Sequence, residues 1–134
     1  MNLNHTLLVV AFASVSALGI APNAAHAGSL DNAAVACFVD TYAFDQSSID
    51  YCGAVWSPGA ADLQTTAYFE VVGLPPGNFS YHWDADCNSN TTVCTAPISA
   101  RPEGFAKRGL VIVDNNTGEE VTVSAFAEYL NGWD

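Results

Sequence analysis

Between Leu63 and Cys87 the chain alternates apolar and polar residues twice, with a proline-glycine break between the two runs, and no other feature restricts its fold as strongly. In "LQTTAYFEVVG", Leu63, Thr65, Ala67, Phe69 and Val71 share one face, while Gln64, Thr66, Tyr68, Glu70 and Val72 share the other. A period of two puts successive side chains on opposite sides of a β-strand, here with one mainly dry side. "LPPGN", Leu74 to Asn78, then has to turn, because Pro75 and Pro76 lack amide donors and Gly77 tolerates positive φ. The alternation resumes with Phe79, Tyr81, Trp83, Ala85 and Cys87 on one face and Ser80, His82, Asp84 and Asp86 on the other. Three aromatic side chains in five residues predict a half-buried second strand, whose burial stabilises the fold at about 25 cal/mol per Å².

The same period recurs near the carboxyl terminus. "GLVIVD", Gly109 to Asp114, and "EEVTVSAFAEY", Glu119 to Tyr129, flank the polar turn "NNTG" and predict a hairpin. Leu110 to Val113 is apolar at every position, as expected for an inner strand covered on both sides. In the second arm Val121, Val123, Ala125, Ala127 and Tyr129 share a face; Phe126 falls on the opposite, otherwise polar face, and a two-sided strand does not account for it. Upstream, "AVACFVDTYAF", Ala33 to Phe44, and "SIDYCGAVW", Ser48 to Trp56, read as two more strands around a polar turn, although the alanines of the first also suit a short helix. "SPGAAD", Ser57 to Asp62, is a loop. Many short strands, no long amphipathic helix and no internal repeat predict an all-β chain folded as a sandwich.

Residues 1–27 stand apart. An apolar stretch from Leu7 to Ile20, Pro22 and the small-residue ending Ala25 to Ala27 form the pattern of an export signal cleaved after Ala27. That leaves residues 28–134, about 107 residues, as a single exported domain, with no later run apolar enough to cross a membrane. The expected location is the periplasm or the extracellular medium. All 14 carboxylates and all 3 basic residues lie in this domain, which carries the whole net charge of -11. So acidic a chain is not expected to bind nucleic acid, whose phosphates are held by Lys and Arg. Cys37, Cys52, Cys87 and Cys94 also lie there, and an even number in an exported domain predicts two disulfides. Of the three possible pairings, Cys37 with Cys52 and Cys87 with Cys94 closes two short loops; zinc is disfavoured because the spacings are not those of paired C-x-x-C ligands.

"YFEVVGLPPG", "FSYHWDADC" and "GLVIVDNNTGEEVTVSA" resemble the immunoglobulin-like sandwiches of bacterial surface and secreted proteins, particularly PKD-type modules. The resemblance spans Leu63 to Tyr129. It implies an immunoglobulin-like β-sandwich of about seven short antiparallel strands, and no particular ligand. Where a PKD module has a Gly-Asp-Gly turn, this chain has the cysteine-closed "ADCNSNTTVC". Antibody-type pairing is also unsupported, since no tyrosine stands two residues before Cys94 and Trp56 is too far after Cys37.

Candidate chemistry is sparse. His82, Asp84 and Asp86 form a conceivable ligand set, but neighbours on one strand face lie about 6.5–7 Å apart and no second His-rich segment completes it, so a solvated strand face is expected. Asp84 and Glu70, expected on neighbouring strands, could pair as acid and base, yet carboxylates are common enough here for chance to suffice. No G-x-S-x-G, H-E-x-x-H or phosphate-cradling loop is present, so neither an enzyme nor a cofactor is expected. Asn78, Asn90 and Asn115 each begin a glycosylation-type triplet, a pattern frequent by chance. "RPEGFAKR", which leads into the strand at Leu110, holds every basic residue, and Arg101, Phe105, Lys107 and Arg108 are its candidate partner contacts. The expected function is a non-enzymatic binding module for an extracellular protein or carbohydrate. An inhibitor of an extracellular hydrolase, presenting the Cys87 to Cys94 loop, is the alternative, and a metal-dependent hydrolase using His82, Asp84 and Asp86 is the third reading.

Overall fold

The computed structural model describes residues 29–41, 45–59, 62–85, 87, 90–102 and 104–132. The segment expected to be an export signal, Asp86 and part of the Cys87 to Cys94 loop lie outside these residues. Among those described are a 3-10 turn, Leu30–Asn32, and eight strands: β1 Ala34–Val39, β2 Ser48–Ile49, β3 Tyr51–Trp56, β4 Gln64–Val72, β5 Phe79–Trp83, β6 Val93–Ser99, β7 Gly104–Asp114 and β8 Glu120–Asn131. They form two four-stranded sheets, ordered β2-β1-β4-β6 and β3-β8-β7-β5. The neighbours β1-β4-β6 and β8-β7-β5 reproduce the A-B-E and G-F-C order of the immunoglobulin sandwich, with no counterpart of strand D among the described residues.

This is the expected all-β sandwich with two disulfides, and three details refine the picture of about seven short antiparallel strands. The strands number eight among the described residues, β7 and β8 run to 11 and 12 residues, and β3 pairs with β8 in parallel. The parallel pair arises because the chain changes sheets. β2 pairs with β1, Asp50 takes positive φ (67°), and β3 then joins the opposite sheet beside β8. The helix alternative for Ala33 to Phe44 is resolved in favour of a strand over Ala34–Val39, since β1 is paired on both edges and Val35, Cys37 and Val39 alternate into the core; this tertiary pairing outweighs the preference of alanine. The aromatic strand stops at Trp83, short of Cys87, and lies at a sheet edge, so Phe79, Tyr81 and Trp83 are only half-buried. Leu63 precedes β4 and is 40% exposed, and the run Leu110 to Val113 alternates between buried and half-buried.

Phe69, Leu110, Ile112, Tyr129 and Val35 fill the space between the sheets. The Tyr129 hydroxyl donates to the Asp62 carbonyl at 2.7 Å, which satisfies a polar tip that burial would otherwise leave unpaired. The Trp83 indole N–H likewise donates to the Thr91 carbonyl at 2.9 Å. Disulfides Cys37–Cys52 and Cys87–Cys94 are both formed. The first bridges the sheets from β1 to β3, and the second ties the chain after β5 to the start of β6.

Gly73 ends β4 with φ 76°, and a Cβ built there runs into the carbonyl oxygen of Asn32. Gly73→Ala is expected to destabilise by about 1–3 kcal/mol through backbone strain and this collision, seen as a lower midpoint in denaturant unfolding. Gly118, also at positive φ (75°) but with open space around it, should tolerate alanine better, which makes Gly118→Ala the control.

Candidate binding surface

Strand alternation assigns "RPEGFAKR" its geometry. β7 begins at Gly104, so Phe105, Lys107 and Arg108 belong to the strand rather than to an entry loop. Phe105 and Lys107 point outward and are exposed, whereas Arg108 is half-buried, with its guanidinium 5.9 Å from the Phe69 ring and donating to the Lys107 and Thr95 carbonyls. Arg101 lies over the Trp56 ring at 4.9 Å. The basic residues therefore have three different surroundings, and Lys107 is the cation placed on the outer sheet face.

Phe105 has other neighbours. β8 pairs with β7 on one side and β3 on the other, with Phe126 opposite both Lys107 and Tyr51, and Glu128 opposite both Phe105 and Gly53. The result is a row of three rings across three strands. Phe105 and Phe126 have centroids 5.8 Å apart and planes at 23°, and Phe126 and Tyr51 have centroids 6.1 Å apart and planes at 13°. Such offset pairs add roughly 0.5–1.5 kcal/mol beyond simple burial in buried settings. Here the row faces outward: Phe105 is 72% exposed and Tyr51 50% exposed. Val55, 60% exposed and paired with half-buried Leu130, extends the apolar strip along the sheet.

Two features orient the end ring. A Cβ on Gly53 would come within 2.9 Å of the Tyr51 hydroxyl oxygen, so the bare glycine lets the phenol lie along its own strand. The hydroxyl then donates to Glu128 Oε2 at 2.8 Å. That hydrogen bond, followed by desolvation and the nearby negative charge, raises the Tyr51 pKa above the ordinary tyrosine value. Burial likewise raises that of Tyr129. For both phenols the folded state holds the proton more tightly, so their contribution to stability is complete below about pH 10 and is lost as pH rises through the elevated folded value. Glu128→Gln is expected to lower the Tyr51 titration, read as the difference in phenolate absorbance between each protein and its Tyr51→Phe counterpart; an unmoved titration would contradict the hydrogen bond.

His82 and Asp84 lie on the outer side at the far edge of the same sheet and are exposed. Among the described residues no group of three or more His, Cys, Asp or Glu is placed to hold a metal ion. Glu70 and Asp84 do not share neighbouring strands, because β4 and β5 belong to different sheets. Sequence reading singled out Phe105 and noted the anomalous Phe126, but missed Tyr51 and Val55. Their proximity depends on the parallel β3–β8 pairing, which no local pattern announces. No helix among the described residues is long and apolar enough to cross a membrane. The chain matches no protein-family model, no curated protein and no solved structure.

Proposed function

We propose that this protein is an exported, non-enzymatic binding module of the immunoglobulin-like, PKD-like kind, which holds a protein or carbohydrate ligand on the outer face of β3-β8-β7. The observation that carries this reading is the Phe105–Phe126–Tyr51 row, left open to solvent on a chain whose charge of -11 otherwise favours water. Contiguous exposed apolar surface of this sort marks interaction sites, and aromatic side chains concentrate binding energy at interfaces. Lys107 beside the row and the Tyr51–Glu128 pair within it supply polar contacts that fix orientation. Two disulfides and the apolar leader support action outside the cytoplasm.

The test is capture from the producing organism's own envelope and medium, with the protein immobilised and compared with Phe105→Ser and Tyr51→Ser. Each substitution is expected to weaken capture by about tenfold or more, the size of a central contact. Capture that both variants retain in full would remove this face from the function.

A further inference from the structure

We propose that the occupant of this face is a protein surface with an apolar centre and a basic rim. This inference rests on the binding-face reading above and narrows its ligand. It comes from what surrounds the ring row. Val55 and Leu130 continue the strip with aliphatic side chains that offer nothing to a hydroxyl group. A glycan laid there would exchange water for unpaired contacts at its hydroxyls, whereas apolar protein side chains lose nothing by the same exchange. Within the row, the Tyr51 hydroxyl and Glu128 Oε2 are already joined to each other at 2.8 Å.

Charge selects the partner further. Asp50, next to Tyr51 in the chain, is exposed, and its backbone carbonyl accepts from the Phe126 amide, which places it at one end of the row. Asp84 is exposed beside Gly109, where a Cβ would approach its carboxylate to 2.8 Å, and so lies on the β5 side. Asp50 and Glu128 thus set two carboxylates beside the rings, with Asp84 farther along the same outer face, against the ammonium of Lys107. A second copy of this chain would bring the same acidic rim and another net charge of -11, and like charges across an interface oppose association. A partner bearing Lys or Arg around an apolar centre is matched on both counts, and its encounter would be steered and sensitive to salt.

The experiment titrates the isotope-labelled protein with a synthetic peptide alternating leucine and lysine, with the same peptide carrying glutamate for lysine, and with cello- and chito-oligosaccharides, while sedimentation follows its mass. Expected are amide shifts centred on Tyr51, Phe105 and Phe126 with the lysine peptide only. Binding should weaken about tenfold in Phe105→Ser and in raised salt, and survive in Glu70→Gln, an exposed acidic residue on β4 in the opposite sheet. Shifts spread over the acidic surface and unaffected by Phe105→Ser would overturn the inference. Oligosaccharide shifts at the three rings, or a concentration-dependent mass abolished by Phe105→Ser, would also overturn it while leaving the binding face intact. If no probe touches the rings and Phe105→Ser leaves envelope capture unchanged, both readings fail.

Discussion

Phe69→Ala is expected to lower unfolding stability by about 3–5 kcal/mol, among the largest effects a single side chain in this fold can have. Phe69 is fully buried on β4, directly opposite Cys37 on β1 and Cys94 on β6, so one register level of the sheet carries both disulfides with this ring between them. The Arg108 guanidinium approaches the same ring from the other sheet. Removing the ring opens a cavity at a level that two covalent bridges hold in place, which limits collapse around it. Phe69→Leu keeps most of the volume and should cost distinctly less. Denaturant unfolding of the three proteins reads the difference, and equal losses for alanine and leucine would show that cavity volume is not the cause.

Replacing Cys37 and Cys52 together with alanine is expected to cost about 3 kcal/mol from the freed unfolded chain alone, given a sequence separation of 15. Both cysteines are buried, so some packing is lost as well. The effect should also reach the surface. β3 is an edge strand carrying Tyr51 and Val55, and this bridge anchors it to β1 across the sandwich. The double variant is therefore expected to show raised hydrogen exchange along Tyr51–Trp56 before global unfolding, with Phe105 and Phe126 on the inner strands protected for longer. Loss of the Cys87–Cys94 bridge, whose sequence separation is 7, should leave β3 undisturbed. If β3 exchanges no faster without its bridge, parallel pairing with β8 suffices to hold it.

What could be read in advance follows from the range of the signal. Period-two alternation marked β4, β5, β7 and β8, and the inward set Ala125, Ala127 and Tyr129 is buried as the pattern required. Short-range closure also favoured the two disulfides that form. The missing information was non-local. Asp50 at positive φ sends the chain from one sheet to the other, and only then does Tyr51 lie beside Phe126. The same limitation affected "RPEGFAKR": Pro102 and Gly104 suggested a loop, but pairing with β8 extends β7 back to Gly104, and alternation then turns Arg108 inward and Phe105 outward. Phe105 within the basic segment and Phe126, an aromatic residue on a polar face, were the local signs of the site.

Whether the exposed rings serve contact rather than folding is decided by measuring unfolding free energy and ligand capture on the same pair of variants, Phe105→Ser and Phe126→Ser. Expected are stability changes of about 1 kcal/mol or less, as for cross-strand pairs on a wet face, together with at least about a tenfold loss of capture. A loss of several kcal/mol with capture intact would contradict it and make the aromatic row part of the scaffold.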